Sequence, residues 1–316
     1  MAAMPRIGTT DLDVFPLNLG GNVFGWTADE PTSFAVLDAY ADAGGNFIDT
    51  ADSYSAWLPG HEGGESESII GRWIARRGRR DDIVIATKVF AKPDRRGLSA
   101  ANIAAAADES LRRLGTDHID LYYAHYDDPE VPLEETLGAF DDLVRAGKVR
   151  HIAASNHTPE RLTEALAVAD RDGLARYVAL QPHYNLVERA GYEGALRDLV
   201  AREGLATLPY FALAKGFLTG KYRDADEAGG SPRAEGALSY LDDRGRAVLA
   251  ALDETAAAHD TSVTAVAIAW LAAQPTVAAP IASARTVEQL SALLDGARLR
   301  LADEDLRRLD AASAPA

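Results

Sequence analysis

The 316-residue chain contains no cysteine. That excludes disulfides, thiolate nucleophiles and cysteine-ligated metals, and says little about compartment. Basic residues are scarce: 32 lysines and arginines stand against 48 aspartates and glutamates, a formal net charge of −16. Such a surface repels phosphate backbones and anionic bilayers, so nucleic acid and membrane are not expected partners. No apolar run is long enough to cross a bilayer, and Met1-Ala2-Ala3-Met4-Pro5 carries no charged-then-apolar leader, which points to a cytoplasmic protein. Linkers rich in Pro, Gly or Ser, low-complexity tracts and short-period repeats are missing, so residues 1–316 read as a single domain. A Gly-x-Gly-x-x-Gly turn after an early strand is missing too, so any dinucleotide is held by something other than a Rossmann fingerprint.

What the chain does have is alternation. Short apolar runs recur at Leu17–Gly21, Phe47–Asp49, Ile83–Thr87, Ile119–Tyr123, Val149–Ser155, Val178–Gln181, Ala206–Tyr210 and Val277–Ile281. Amphipathic stretches such as Thr32–Ala43, Ser66–Arg77, Ala100–Leu114, Leu133–Ala146 and Pro159–Ala169 separate them. Eight strand–helix units in roughly 250 to 300 residues predict an α/β fold, a closed (β/α)8 TIM barrel whose active site lies at the carboxyl ends of the strands. Outside the repeat, Arg6–Pro16 reads as an N-terminal β-hairpin turning at Gly8-Thr9-Thr10-Asp11. Extra helices are expected at Asp243–His259 and Ser262–Ala273, before strand eight, and at Ala302–Ala311, at the C-terminus; Thr261 is the candidate N-cap of the second.

Four polar residues, Asp49, Tyr54, Lys88 and His125, stand where predicted strands two, three and four run out into loops. Taken singly each has an ordinary reading: Asp49 as a cap, Tyr54 as a packing residue, Lys88 as a solvated surface lysine, His125 as a hydrogen-bonded structural histidine. Together they suit proton donation to a carbonyl. A free phenol has a pKa of about 10 and gives up its proton poorly near neutrality unless a cation stabilises the phenolate. A unit charge at roughly 4 Å and an effective dielectric of about 20 is worth on the order of 4 kcal/mol, about three pKa units. Lys88 is therefore expected to lower the Tyr54 pKa, with Asp49 holding the lysine charged and oriented and His125 aiming the substrate oxygen.

The segment Asn46-Phe47-Ile48-Asp49-Thr50-Ala51-Asp52-Ser53-Tyr54 resembles the aldo-keto reductase signature, whose aspartate and tyrosine both belong to a catalytic tetrad. Ile85-Ala86-Thr87-Lys88-Val89 is similar to the segment bearing the tetrad lysine, and Asp120-Leu121-Tyr122-Tyr123-Ala124-His125 to the one bearing the histidine. The resemblance runs from Leu17-Asn18-Leu19-Gly20-Gly21 to Pro280-Ile281-Ala282-Ser283-Ala284-Arg285. It implies NADPH-dependent reduction of aldehydes or ketones, with the hairpin plugging the barrel floor.

The same resemblance assigns a cofactor site. Ser155 and Asn156 close strand five, Gln181 strand six and Tyr210 strand seven. Two amides and a hydroxyl suit a carboxamide, and a ring suits stacking on nicotinamide. Gly21, Asn22 and Val23, after strand one, would pass close to cofactor or substrate, since glycine permits near approach. Tyr210-Phe211-Ala212-Leu213-Ala214-Lys215-Gly216-Phe217-Leu218-Thr219-Gly220-Lys221 resembles the loop that covers the pyrophosphate, implying contacts from Phe211, Ala212, Leu213, Gly216 and Lys221. Family members usually carry Ser-Pro where this chain has Phe211-Ala212, so one hydroxyl contact is lost. Ser283 replaces a family glycine and Leu293 an asparagine, while Gln289 matches. Arg285, beside a helix N-terminus, suits a dianionic phosphate and favours NADPH over NADH.

The substrate wall is expected from Trp26, Trp57 and Tyr126, alongside Tyr54 and His125, with Asp127 and Asp128 nearby; such rings suit sugars, aromatic aldehydes and ketones alike. The loop Tyr222–Tyr240 either closes over the substrate or stays disordered. Two rival readings stand beside this one. The same pocket could serve an NADP(H)-binding regulatory or redox-sensing subunit with negligible turnover. Alternatively, Asp49, His125 and His183 could serve a metal-dependent hydrolase or isomerase, although no dense ligand motif is present and no metal is expected.

Overall fold

Inward-pointing side chains organise the molecule. The computed structural model describes residues 4–224 and 234–315. Its strands are β1 (Asn18–Gly20), β2 (Phe47–Asp49), β3 (Val84–Val89), β4 (Ile119–Ala124), β5 (Val149–Ser155), β6 (Tyr177–Gln181), β7 (Ala206–Thr207) and β8 (Ile281–Ala282). All neighbouring pairs are parallel, in the order β7-β6-β5-β4-β3-β2-β1-β8. The two ends meet through a parallel bridge between Thr207 and Val277, where Thr207 N donates to Thr276 O at 2.8 Å and Ala278 N to Thr207 O at 3.0 Å. The fold is thus the expected (β/α)8 barrel.

Two buried clusters follow from the twofold alternation of strand side chains. Phe47, Val84, Ala86, Leu121, Tyr123, Ala153, Ala179, Ala206 and Leu208 fill the barrel interior. Ile48, Ile85, Tyr122, Ile152 and Leu180 face the surrounding helices. Extending the inward parity by one step reaches Asp49, Lys88, His125, Ser155, Gln181 and Tyr210. The barrel's own pleat therefore aims these six residues at the upper opening.

The crossover helices are α1 (Glu30–Asp42), α2 (Glu65–Arg77), α3 (Ala100–Leu114), α4 (Leu133–Arg145), α5 (Pro159–Asp172) and α6 (Ala195–Arg202). A short α7 (Ala234–Leu238), then α8 (Asp243–Ala258), α9 (Val263–Ala272), α10 (Val287–Arg298) and α11 (Asp303–Ala312) complete the chain. Asp29, Ser99 and Thr158 cap α1, α3 and α5 by accepting from the backbone three residues on. The cap of α9 is Ser262, which accepts from Ala265 N, and not the expected Thr261. Thr261 N still belongs to the preceding turn, donating to Ala256 O at 3.0 Å.

Strands seven and eight are shorter than the apolar runs suggested. Pro209 and Pro280 interrupt them, and proline has no N–H for the ladder, so regular pairing shrinks to two residues in each. The N-terminal hairpin is reduced to a single antiparallel bridge, Arg6 with Asp13. Its Ile7, Leu12 and Val14 are packed with the interior cluster, so the segment does plug the floor. Asp11, at the turn, bonds Arg150 at 2.7 Å and His151 at 2.9 Å, tying the plug to β5.

Because Leu12 fills the floor at 2% exposure, Leu12→Ala should lower unfolding stability by about 2–5 kcal/mol, the range for a buried leucine truncation. Urea denaturation read by circular dichroism checks this; an unchanged midpoint would mean the plug adds no packing.

Candidate active site

Lys88 is fully buried, and its ammonium finds three acceptors: Asp49 Oδ2 at 2.5 Å, Thr50 O at 2.6 Å and Tyr54 Oη at 2.9 Å. An ammonium has three N–H donors, so each is used. Asp49 is equally saturated. Its Oδ2 also accepts from the Tyr54 hydroxyl at 3.3 Å, and its Oδ1 from Gln181 Nε2 at 2.9 Å. His125 stands beside Tyr54 with ring centroids 6.3 Å apart, and its Nδ1 has no partner among the described residues. The four residues expected to act together are thus gathered at one point of the upper rim.

The electrostatics correct one expectation. The Tyr54 phenol is pushed well above its ordinary 10.0, chiefly by burial and then by the charge and hydrogen bond of Asp49. The aspartate that steadies the lysine also opposes the phenolate, so in the resting site Tyr54 holds its proton firmly. Burial lowers the Lys88 ammonium from 10.5, opposed by Asp49. His125 falls well below 6.5, through burial and the nearby Lys88 charge, and is a neutral imidazole.

A cavity of about 800 Å³ opens above these groups, toward the upper end of the roughly 300–1,000 Å³ usual for ligand sites. Asn22, Val23, Ser155, Asn156, Gln181, Tyr210, Phe211, Ala212, Leu213, Gly216, Lys221, Ser283, Arg285 and Gln289 line it, as do Trp57 and Tyr126. The amide wall is interlocked: Ser155 Oγ donates to Gln181 O at 2.9 Å, Asn156 Nδ2 to His125 O at 2.9 Å, and the Tyr210 hydroxyl to Asn156 Oδ1 at 2.8 Å. Asn156 holds a left-handed φ of 55°, which asparagine tolerates better than most residues.

Some placements differ from expectation. Gly21 does not line the cavity; Gly20 does. A Cβ on Gly21 would meet Ser66 Oγ at 2.8 Å and Asp49 O at 3.1 Å, so that glycine serves the packing of β1 against β2 and α2. Trp26 does not line the cavity either, and instead backs Trp57 at 5.3 Å between ring centroids. His183 stacks on Tyr210 at 5.2 Å, outside the cavity lining, and no group of three metal-ligating side chains occurs among the described residues. Much of the loop proposed as a cover, residues 225–233, lies outside the described residues.

Lys215, to which no contact was assigned from the sequence, also lines the cavity. Lys215, Lys221 and Arg285 form no ion pair among the described residues and stand on the loops after β7 and β8. In a chain of net charge −16, three such cations on one cavity wall make that wall locally positive.

Comparison with known proteins agrees with this arrangement. A sequence model described as the aldo/keto reductase family matches residues 16–314. The uncharacterized oxidoreductase YrpG of Bacillus subtilis is 37% identical, over 96% of this chain and 94% of that protein. Protein tas of Escherichia coli is 31% identical over 97% and 96%, and the norsolorinic acid reductase stcV of Emericella nidulans 32% over 94% and 78%.

A further acid escaped the sequence reading. Asp52, between Asp49 and Tyr54, is 1% exposed, and neither carboxylate oxygen has a partner among the described residues. Burial and the nearby Glu67 raise it from 3.8 to about 7, against Arg113, Arg95 and Lys92. A raised folded-state value means that its contribution to stability is complete below about 4 and is lost as pH climbs through about 7. Asp52→Asn removes this titration. Between about pH 5 and 8 the variant's unfolding midpoint should therefore gain on that of the wild type; parallel profiles would show that Asp52 is not held neutral.

Proposed function

The chain belongs to the aldo/keto reductase family, and we propose that it reduces aldehydes or ketones to alcohols with NADPH, Tyr54 delivering the proton. The observation that carries this reading is the buried Lys88 ammonium, bonded at once to Asp49 and to the Tyr54 hydroxyl. Relatives named as an oxidoreductase and a norsolorinic acid reductase support carbonyl reduction in general.

The cavity fits a nicotinamide dinucleotide. Interlocked amides face one part of it, unpaired cations another, and Gly20 leaves a cradle that a Cβ would fill to within 2.6 Å of Ser283 Oγ. In this reading Ser155, Asn156 and Gln181 hold the carboxamide, Tyr210 stacks on the ring, and Lys215, Lys221 and the backbone from Phe211 to Gly216 hold the pyrophosphate. Arg285, next to the N-terminus of α10, takes the ribose phosphate, while Gln289 and Leu293 border the adenine.

When bound, the reduced nicotinamide supplies a hydride to the carbonyl carbon. The chain supplies everything else. Tyr54 and the neutral His125 converge on the carbonyl oxygen and fix its direction. As negative charge develops there, the oxygen becomes far more basic than a phenolate, so a phenol of raised pKa still yields its proton. Lys88 then faces the new phenolate directly, and its charge counts for most at that moment. Residues 1–316 act as one domain in this scheme, in the cytoplasm; no helix among those described is long and apolar enough to cross a membrane.

Tyr54→Phe should abolish NADPH oxidation by every carbonyl while leaving the NADPH dissociation constant within about threefold of wild type, since it removes the proton and little contact area. Turnover at wild-type rate in this variant would place the proton elsewhere. Arg285→Ala should weaken NADPH by about tenfold or more and NADH much less, because it deletes a charge-assisted contact to a phosphate that NADH lacks. Equal losses, measured by titration calorimetry, would remove the assigned preference.

A further inference from the structure

Six rings form an unbroken path on the loops after β1 to β4; the middle four, Trp57, Tyr54, His125 and Tyr126, line the cavity, and Trp26 and Phe90 back its two ends. Trp26 meets Trp57 at 5.3 Å between centroids, Trp57 meets Tyr54 at 6.4 Å, and Tyr54 meets His125 at 6.3 Å. His125 stacks on Tyr126 at 5.0 Å, and Tyr126 meets Phe90 at 5.4 Å. The two groups assigned to proton delivery occupy the middle of this path. On either side of them, Trp57 and Tyr126 stand 51% and 43% exposed, among the few large apolar side chains left open to solvent. Neither is needed to fill the core, so their exposure calls for an apolar occupant.

Charge is withdrawn from the same place. The acids nearest the rings are turned to the protein: Asp127 accepts from Arg161 Nε through both oxygens, at 3.0 and 2.9 Å, and Asp128 accepts from Leu98 N at 2.8 Å and Glu130 N at 3.2 Å. Lys92 is bound to Asp94 at 2.8 Å. The surfaces between the rings come from Val23, Ala56, Ala91 and Pro93, with Asn22, Thr27 and Ser53 as the polar additions. Lys215 and Lys221 stand on the loop after β7, and Arg285 on the loop after β8, the strand that pairs with β1.

We propose that this rim selects uncharged, planar aromatic aldehydes and ketones, with Trp57 and Tyr126 as the specificity-determining rings. The inference rests on the carbonyl-reductase reading above and adds the substrate class to it. An arene laid along the path gains ring contacts on both sides while its carbonyl reaches Tyr54 and His125. A sugar would bring several hydroxyls to a wall with two small hydroxyl partners, and each buried one left unmatched costs affinity. A carboxylate or phosphate on the substrate would lose water beside a lining that carries no cation on this side, since Arg96, over the Phe90 ring at 5.9 Å, stands outside the cavity lining. The step itself is unchanged: hydride from NADPH and the Tyr54 proton add across the carbonyl, whose π bond breaks.

The test compares steady-state kinetics of the purified protein with NADPH on naphthaldehyde, carboxybenzaldehyde, hexanal and glucose. Wild type should show a KM for naphthaldehyde at least about tenfold below those of the other three. Trp57→Ala and Tyr126→Ala should each raise that KM by about tenfold with a smaller change in kcat, and Trp57→Phe should recover most of the loss. Both side chains are exposed, and unchanged circular dichroism spectra establish that the variants fold. Equal handling of charged, aliphatic and aromatic aldehydes, or alanine variants that keep the preference, would overturn the substrate class and leave the reductase reading standing. No turnover of any carbonyl would instead bring down the reductase reading, and this inference with it.

Discussion

A lysine charge placed where water does not reach it must be matched on every side, and that requirement shapes the site around Lys88. Its three N–H bonds go to Asp49, the last residue of β2, and to Thr50 and Tyr54 in the loop that follows, while Lys88 itself comes from the neighbouring strand β3. Losing any one acceptor would leave a buried donor unpaired, at a cost well above what a surface ion pair is worth. Asp49 extends the chain of obligation to β6 through Gln181. A single buried ammonium thereby fixes the relative positions of three strands, and the parallel ladder between them supplies the rigidity that such matching needs.

That arrangement also explains why the tyrosine is less acidic in the resting site than the lysine alone would make it. The ammonium favours the phenolate, but burial and the carboxylate of Asp49 both oppose it, and they prevail. A proton donor is served by this balance. A phenol already ionised at neutral pH would have nothing to give, whereas one whose proton leaves only toward a developing alkoxide acts when needed. Reasoning from the lysine alone, as the sequence invites, leaves out burial and the counter-charge that the lysine itself requires. Pairing and acidity cannot be argued separately when three groups share one bond network.

The parts of the molecule legible in the sequence were those governed by alternation and by strand ends. Phe47 to Asp49, Val84 to Lys88 and Ala153 to Ser155 follow an inward parity that a parallel barrel turns directly into site geometry. What could not be read was governed by distances between segments far apart in the chain. Gly20 and Gly21 are adjacent, and which of them faces the cavity depends on Ser283 and Ser66. Trp26 and Trp57 look alike in the sequence, and the loop path decides that one backs the other. Asp52 carries no mark of its own in the sequence, and its environment is set by Glu67, Arg113 and Arg95 from distant segments. Thr261 and Ser262 are equally good caps by type, and only the end of the previous turn chooses between them.

The division of the rim into a cationic and an aromatic half has a physical logic that neither half shows alone. In the proposed reading, cations that form no ion pair among the described residues would draw an anionic dinucleotide to the β7 and β8 loops and, by the same field, any anionic substrate as well. An uncharged substrate avoids that competition, because nothing pulls it toward the phosphate seats. Apolar rings on the loops after β1 to β4, with neighbouring acids tied to Arg161 and to backbone N–H groups, would then keep the two ligands from exchanging places. The pair Tyr54 and His125 stands where the two sets of residues meet, so in this reading both ligands would be satisfied together over the atoms proposed to deliver the proton.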